Sequence, residues 1–488
     1  MQQSTVILIT LVAYKLVLIG IGLWASRRMH DETDFFLGGR KLGAWVAGLS
    51  YAASTSSAWV LLGFSGFVFT NGLSALWMLP GIWGGYAVVW LWFGPALRRE
   101  SKTLGWVTPT EYLSANTHGG GRAAINALAA AMIVFCFVFY IAAQFDAAAK
   151  AFSSQFAMDY TASITLGAAI ILFYSLLGGF WAVSATDTLQ GAIMFAAALL
   201  VPAFALVAAG GPADVWSSLE AHSPDNFLDW TGGHASLVFA GLVIGLASIG
   251  LGTLGQPHLL SRLMSVRGER ERVQGFAIAI GWGITVNSGM VVLALSGRAL
   301  GLMPETGEGL FYLAAAELLP TVLAGIVIAA VLSAVMSTVD SILLSASAAI
   351  SHDLGLSRRF ATKQLTVSRA VMVGITLFAL LLAISLPDTI FNRVLFAWSA
   401  LGAAFGPVVA ARVAGREPSA RARIAAIVTG FSLTALFYLC GGISAPQDGP
   451  LGWLVELAHL PGDPFERFVP WLPALAILFM SRQEQPES

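Results

Sequence analysis

Two short clusters of hydroxyl-bearing and small residues lie in the middle of otherwise apolar segments of this 488-residue chain. The first spans residues 52–57 (AASTSS) and the second spans residues 333–338 (SAVMST). Hydroxyl groups at membrane depth either allow close helix packing or direct oxygen atoms toward a cavity. Oxygen atoms are also the ligands that hard cations prefer. The two clusters therefore predict the two halves of one ion site in a transporter.

The composition indicates a polytopic membrane protein. Hydrophobic residues make up 57% of the chain, charged residues make up 11%, and the mean hydropathy is +0.76. Soluble proteins contain about 25% charged residues. The formal net charge is -1 and no long basic block occurs, so no nucleic-acid partner is expected. Cys136 and Cys440 fall within or beside apolar segments and are expected to be small buried hydrophobic side chains rather than a disulfide framework.

Apolar runs predict an all-α integral membrane protein, because a bilayer core requires about 20 apolar residues per helix. Thirteen candidate spans can be assigned. They are residues 5–26, 43–71, 74–97, 123–151, 158–178, 180–209, 235–263, 275–300, 321–351, 366–386, 390–412, 423–441 and 469–481. The pair Gly178-Gly179 is predicted to separate the fifth span from the sixth.

The distribution of basic residues predicts the orientation. With the N-terminus outside, 21 of the 26 Lys and Arg residues fall on the cytoplasmic side, four fall outside, and Lys15 lies within the first span. The four outside are Lys150, Arg298, Arg393 and Arg467. The acidic loop 210–234, which has no Lys or Arg, falls outside as well. We therefore expect an outside N-terminus and a cytoplasmic C-terminus.

Helix-breaking residues are concentrated in the second and seventh spans. Glycine costs a helix interior about 1 kcal/mol relative to alanine, and proline costs about 3 kcal/mol. The second span contains the first hydroxyl cluster followed by Gly63 and Gly66, and the seventh contains Gly245, Gly250, Gly252, Gly255 and Pro257. Two discontinuous helices, five spans apart, predict two inverted repeats formed by spans 2–6 and 7–11. The alternative is close helix packing on small residues.

Several motifs together resemble a known family. They are residues 34–43 (DFFLGGRKLG), 178–183 (GGFWAV) with Thr186-Asp187, 255–258 (GQPH), 334–338 (AVMST) and 403–409 (AAFGPVV). In this order and in register from about residue 5 to 413, they resemble the sodium:solute symporter family and its bacterial sodium/proline symporter branch. The tail beyond residue 413 resembles that family only in being hydrophobic.

The resemblance implies a LeuT-like inverted-repeat fold and a sodium-coupled symporter that imports a small organic solute by alternating access. It implies Na⁺ as coupling ion, an amino acid such as proline or a related zwitterion or carboxylate as solute, and location in a bacterial inner membrane. Five parts are expected. They are the first span with a cytoplasmic loop (1–42), the first repeat (43–209), an extracellular loop (210–234), the second repeat (235–413), and the C-terminal spans with a short tail (414–488).

The same resemblance assigns the ion ligands. They are the backbone carbonyls of Ala53 and Ser56 in an unwound stretch 53–56, the backbone of Ala334, and the side chains of Ser337 and Thr338. This chain has Thr55 where the proline branch has an aspartate, so the site has one formal charge fewer, although a hydroxyl can also coordinate an ion. The alternative for the last two hydroxyls is a hydrogen bond to a carbonyl in their own helix.

The solute is expected between the two broken spans, with the fourth span alongside. Ser57, Tyr140 and Pro257 match positions of the proline branch. Ile249 and Thr253 replace the two aromatic residues of that branch, which removes ring contacts from the pocket. We therefore expect a small zwitterion or carboxylate that is not a compact ring.

Ionisable residues inside a membrane are functional candidates. Asp187 is predicted near the exit path of the ion, and the alternative is a carboxylate at the positive end of a helix dipole. Asp340, three residues beyond Ser337, either tunes the ion site or forms a structural pair.

Other functions agree less well with the sequence. A proton-coupled transporter of the same fold would use Asp187 or Asp340 without a metal. A solute-sensing receptor is a second alternative, but only seven residues follow the last span, so no output domain is expected. The chain contains no nucleotide-binding loop, H-E-x-x-H or G-x-S-x-G motif, so no enzyme is expected. The solute, the ion stoichiometry and the oligomeric state stay open.

Overall fold

The computed structural model describes residues 3–26, 32–156, 158–176, 179–356, 364–385, 389–443 and 452–482. Gly178, half of the pair predicted to separate the fifth span from the sixth, lies outside these residues. Across the described ranges the chain is helical, and its β-type pairing is an isolated bridge between Leu42 and Val266.

Helices follow all thirteen predicted spans, some spans contain more than one helix, and shorter helices lie between the spans. In the N-terminal half they are α1 (Gln3–Ser26), α2 (Glu32–Leu37), α3 (Ala44–Ala58), α4 (Ser65–Asn71), α5 (Met78–Ala87), α6 (Gly94–Leu104), α7 (Pro109–Leu113), α8 (Gly119–Phe156), α9 (Tyr160–Ser175), α10 (Phe180–Ala208) and α11 (Pro212–His222). In the C-terminal half they are α12 (Ser236–Ala247), α13 (Ile249–Gly252), α14 (Pro257–Ser265), α15 (Glu269–Ala299), α16 (Leu310–Leu318), α17 (Thr321–Ala348), α18 (Gln364–Ser385), α19 (Ile390–Val413), α20 (Ala420–Gly441), α21 (Gly452–Ala458), α22 (Pro464–Arg467) and α23 (Trp471–Met480). Short π-helical segments, Trp59–Phe64, Val88–Phe93 and Ala349–Asp353, continue α3, α5 and α17.

The lengths of these helices agree with a protein that crosses the membrane many times. Among the described residues, nine helical segments are long and apolar enough to cross a bilayer, and one of them, Ala44–Leu104, contains both the second and the third predicted span. Val12–Trp24 and Tyr160–Phe173 are shorter apolar helices, and α23 has ten residues. The all-α membrane fold predicted from the sequence is confirmed.

The second span is broken, but one residue later than predicted. The stretch 53–56 is helical, so its prediction as unwound is wrong, and the non-helical residue is Ser57 with φ 48° and ψ -170°. The amide of Ala58 donates to Gln144 Oε1 on α8 at 3.2 Å, and the amide of Trp59 donates to Ser57 Oγ at 3.0 Å. The Trp59 amide also donates to the Ser56 carbonyl. For Ala58, the Gln144 side chain replaces the helical carbonyl, which is why the backbone can leave the helix at this depth.

The seventh span is broken at Gln256. A 3₁₀ turn, Thr253–Gly255, follows α13, Gln256 is extended with φ -83° and ψ 109°, and Pro257 begins α14. Proline suits the first position of a helix because its missing N–H has no partner there. The glycines of this span also pack closely, since a Cβ on Gly250 would lie 1.8 Å from the carbonyl oxygen of Gly81. Chain break and close packing, which were alternatives in the sequence, both occur.

The broken span 2 lies at the centre of the molecule. Its first half, α3, packs against α10, α15 and α17, while α8 packs against α9, α17, α18 and α19. The two halves of span 7 contact different partners, because α13 packs on α5 and α19 whereas α14 packs on α6 and α3. The two chain breaks therefore face a common interior surrounded by α8, α17 and α19.

Candidate functional site

The two hydroxyl clusters meet in the structure. Thr338 Oγ1 on α17 donates to the carbonyl oxygen of Ser54 at 3.4 Å, and Ser54 Oγ donates to the carbonyl of Ser337 at 3.3 Å. All three residues are fully buried. In an unbroken helix the Ser54 carbonyl would accept from the amide of Ala58, but that amide donates to Gln144. The break at Ser57 thus leaves a carbonyl on α3 that can face the hydroxyls of α17.

The other predicted ion ligands lie within one helical turn of this contact. Ala53 is fully buried and Ser56 is 3% exposed. Ser337 Oγ donates to the Ala334 carbonyl of its own helix at 3.2 Å, so the alternative of an intrahelical hydrogen bond describes this hydroxyl. Thr338 instead bonds across to α3. Carbonyl and hydroxyl oxygens from both helices are therefore present in one buried place.

Thr55 faces a different direction. Its hydroxyl donates to the Tyr51 carbonyl at 2.6 Å, and its side chain lines a cavity on the side of α3 that faces Tyr86. Its oxygen retains lone pairs for coordination, and the residue lines this cavity together with Ser56.

A cavity of about 20 Å³, room for roughly one water molecule, lies beside the break in span 2. Its polar lining consists of Thr55, Ser56, Tyr86, Thr253 and Asn287. Its apolar lining consists of Trp59, Val60, Ile82, Ile249, Val394, Leu395 and Trp398. Among the described residues, none of those that line it is charged.

The predicted solute residues are distributed along one path rather than gathered in one pocket. Ile249 and Thr253 line the cavity just described. The Tyr140 hydroxyl lies near Ser57 and Trp398, at the level of the chain break. Pro257 lines a second cavity of about 20 Å³, which also contacts Ser261 and Asp353 of the predicted cytoplasmic end.

Unpartnered polar groups surround the break in span 7. Gln144 Nε2, Gln256 Oε1 and both ring nitrogens of His258 are buried and have no hydrogen-bond partner among the described residues. A buried polar group without a partner costs about 1–3 kcal/mol. A polar ligand between the two broken spans would remove this cost.

A buried arginine that was not identified from the sequence connects four helices next to the predicted ion ligands. Arg262 on α14 is 1% exposed and pairs with Asp187 Oδ2 on α10 at 2.7 Å. Its guanidinium also donates to Ser50 Oγ at 2.8 Å and to Ser54 Oγ and Ser341 Oγ at 2.6 Å each. We call these five residues the Arg262 cluster. The orientation rule placed Arg262 in the cytoplasmic region, and the signal that could have indicated it is the need of a buried Asp187 for a cation.

Asp187 and Asp340 occupy different surroundings. Asp187 is the eighth residue of α10, two turns from its start, so the alternative of a carboxylate at the helix N-terminus does not describe it. Asp340 is 1% exposed and accepts from Ser175 Oγ of α9. Asp340 thus lies between α17 and α9, whereas Asp187 lies beside Ser54, next to the predicted ion ligands.

Aromatic rings and an ion-pair network close the predicted extracellular end. Trp59 stacks on Phe391 with ring centroids 5.8 Å apart, and Phe67 stacks on the same ring at 4.6 Å. Glu308 accepts from the amide of Phe391 at 3.0 Å and from Lys150 Nζ at 2.8 Å. The cavity is therefore covered on this side by rings that the Glu308 carboxylate holds in place.

A polar network closes the predicted cytoplasmic end. Glu111 on α7 accepts from the amides of Val107 and Thr108 and pairs with His352 at 3.5 Å, while Thr108 Oγ1 donates to Asp353 at 2.7 Å. Burial opposes ionisation of Glu111, but the His352 ring and the two N–H groups hold the pKa of its carboxyl below the usual value. These contacts join α7 to the end of α17 at the predicted cytoplasmic end.

Two discontinuous membrane spans that face a common buried interior are typical of secondary transporters. A family model for the sodium:solute symporter family matches residues 35–413, so this chain belongs to that family. The high-affinity proline transporter PutP of Bacillus subtilis is 32% identical over 87% of this chain and 90% of its own length. The sodium/proline symporter of Escherichia coli is 32% identical over 95% of this chain and 91% of its own length.

Solved structures agree on the fold. A Na⁺-coupled sialic acid symporter in a substrate-bound outward-open state superposes with a TM-score of 0.77 at 17% identity, covering 98% of this chain and 99% of that one. A nucleobase-cation-symport-1 family transporter in a closed conformation superposes with a TM-score of 0.54 at 12% identity, covering 91% of this chain and 94% of that one.

These findings confirm several predictions. The fold is the LeuT-like inverted repeat, and the chain is an integral membrane protein that imports a small organic solute with Na⁺ as coupling ion. Its relatives are symporters, which agrees with the prediction that it is not an enzyme.

Proposed function

We propose that one Na⁺ binds between the broken second span and α17. Its ligands would be the carbonyls of Ala53, Ser56 and Ala334 and the hydroxyls of Ser337 and Thr338. The observation that supports this proposal is the contact of Thr338 Oγ1 with the Ser54 carbonyl at 3.4 Å. It brings a hydroxyl of α17 to a carbonyl that the chain break has freed.

We infer that the solute is a small zwitterion of the amino-acid kind. No charged side chain is among the described residues that line the cavity, so the charges of a zwitterion would be met by Na⁺ and by the ends of the broken helices. The relatives are named for proline transport. Ile249 and Thr253 supply no ring to stack on proline, so proline is expected to bind less tightly than a solute with an open side chain.

The same proposal includes the orientation and the parts of the chain. Repeats 43–209 and 235–413 would be related by inversion, with loop 210–234 outside, the N-terminus outside and the C-terminus in the cytoplasm of a bacterium. Labelling of single cysteines at both ends tests the orientation, and reaction of both ends from the same side would contradict it.

Tracer uptake into proteoliposomes tests the transport proposal. An inward Na⁺ gradient should drive accumulation of a neutral amino acid, and a proton uncoupler should leave uptake unchanged. Uptake that continues without Na⁺ and collapses with the uncoupler would instead favour proton coupling.

Hydroxyl removal tests the ion site. Ser337→Ala and Thr338→Ala should each raise the Na⁺ concentration for half-maximal uptake about tenfold, a loss of about 1.4 kcal/mol. Thr376→Ala is the matched control, because Thr376 is a buried threonine on α18 that bonds only within its own helix, to the Met372 carbonyl. Equal effects of all three substitutions would exclude a specific ligand role.

A further inference from the structure

The cavity wall opposite the ion ligands contains a buried amide whose orientation is fixed. Asn287 on α15 is 3% exposed and lines the cavity. Its Oδ1 accepts from Trp83 Nε1 at 3.2 Å. The indole nitrogen of tryptophan is only a donor, so the oxygen of the amide must face Trp83. The NH₂ group of Asn287 therefore faces away from Trp83.

Among the described residues, the Asn287 side chain hydrogen-bonds to Trp83 alone, which leaves its NH₂ group available to the cavity. Thr253, 1% exposed in the break of span 7, also places its side chain against this cavity. Two donors from α15 and span 7 thus face one small space. An unpaired buried donor favours a ligand that supplies an acceptor.

The rest of the lining decides what kind of acceptor fits. Ile82, Ile249 and Leu395 surround these donors with apolar surface, and the described lining has no cation. A second carboxylate on the solute would be buried without a counter-charge, which is strongly unfavourable. A neutral oxygen, such as a hydroxyl, ether or carboxamide carbonyl, can accept from both donors without adding charge.

We propose that Asn287 and Thr253 determine specificity by binding a neutral oxygen on the side chain of the solute. This inference rests on the proposed transport of a small zwitterion and narrows its class to zwitterions with a neutral, oxygen-bearing side chain. The charged end of the solute would lie at the chain breaks and the Na⁺, and its side-chain oxygen would lie at Asn287.

Ligand-induced thermal shifts of the purified full-length protein test the proposal, because a ligand that binds the native state raises its stability by an amount that grows with the logarithm of the ratio of ligand concentration to Kd. The probes are matched pairs in sodium or potassium buffer: L-threonine with L-valine, and trans-4-hydroxy-L-proline with L-proline. In sodium, the oxygen-bearing member of at least one pair should bind about tenfold more tightly than its partner, since a site built for a hydrogen bond rejects the analogue that lacks it. Asn287→Leu should bring that ratio to about one and leave the affinity of the apolar member within about threefold.

Two further variants keep the test decisive if Asn287→Leu does not fold. Thr253→Val should reduce the ratio, and Trp83→Phe should also reduce it by releasing the amide from its fixed orientation. This inference would be overturned by an unchanged affinity ratio in every folded variant. It would also be overturned if the apolar member bound equally or more tightly in both pairs with the wild-type protein. In either case, sodium-dependent binding would leave the transport proposal intact. Absence of binding by all four probes in both buffers would overturn the proposed zwitterion transport, and this inference with it.

Discussion

The ion pair between Asp187 and Arg262 gives the most direct test of how the protein closes toward its predicted cytoplasmic end. Asp187→Asn leaves a guanidinium that is 1% exposed without its counter-charge. Removing one partner of a buried ion pair costs about 3–5 kcal/mol. The hydroxyls of Ser50, Ser54 and Ser341 remain as acceptors, so we expect a loss near the lower end, about 3 kcal/mol.

This loss applies to the conformation that holds the Arg262 cluster together. The cluster joins α3, α10, α14 and α17, and separation of these helices at the inner side would break it. A loss of about 3 kcal/mol changes the ratio of closed to open forms on the order of 100-fold, at 1.4 kcal/mol per factor of ten. The Asp187→Asn variant should therefore expose the second cavity, lined by Pro257, Ser261 and Asp353, far more often than the wild type.

Cysteine labelling from the cytoplasmic side measures this exposure. Ser261 lines the second cavity, at the predicted cytoplasmic end, and is 7% exposed, so a cysteine there reports on access to that cavity. Ser261→Cys is introduced into a protein in which Cys136 and Cys440 are replaced by alanine. Asp187→Asn should accelerate labelling about tenfold or more. The double variant Asp187→Leu with Arg262→Met should label more slowly than Asp187→Asn, because replacing a buried pair by apolar side chains is often neutral. Labelling that is unchanged in Asp187→Asn, or as fast in the double variant, would refute the reasoning.

Three other outcomes follow from the contacts described. Glu111→Gln should destabilise the purified protein at neutral pH and less in acid. A carboxyl with a lowered pKa stabilises the fold above its usual pKa, and this stabilisation is lost as the pH falls through the lowered value. Thermal unfolding measured against pH checks this, and an equal loss of stability at every pH would contradict a role for the charge beside His352. Thr55→Val should change the Na⁺ dependence of uptake less than about threefold, because that hydroxyl faces the cavity rather than α17, and a larger change would make it an ion ligand. Sodium should slow the labelling of Ser261→Cys, and should slow it less when Ser54→Ala is added. Equal slowing in both variants would show that Ser54 does not couple sodium binding to closure.

The fold was predictable because its signals are local. Apolar runs of span length, clustered glycines and the hydroxyl-rich segments 52–57 and 333–338 are visible in the sequence, and membrane depth restricts what such segments can form. The break at Ser57 was misplaced because the local conformation depends on Gln144 of α8, which lies 86 residues after Ala58. A partner so distant in sequence leaves no periodic signal.

The Arg262 cluster was missed for a related reason. Orientation rules assign basic residues to loops, and only the meeting of α3, α10, α14 and α17 places acceptors around this guanidinium. The direction of Thr55 and the donors of Asn287 also depend on helix rotation, which hydrophobic periodicity does not specify in helices that are buried on several sides.

Ser54 lies between the proposed ion site and the Arg262 cluster, which would give sodium a physical means of controlling access from the predicted cytoplasmic side. Its carbonyl accepts from Thr338, and its hydroxyl contacts both Arg262 and Asp187. A cation held by the proposed neighbouring ligands Ala53 and Thr338 would restrict the rotation of Ser54 and so favour the geometry in which its hydroxyl bonds to the guanidinium. Because coupling between two equilibria is reciprocal, assembly of the Arg262 cluster would raise sodium affinity by the same factor by which sodium favours that assembly. Loss of sodium to the cytoplasm would then weaken the closure that had retained it.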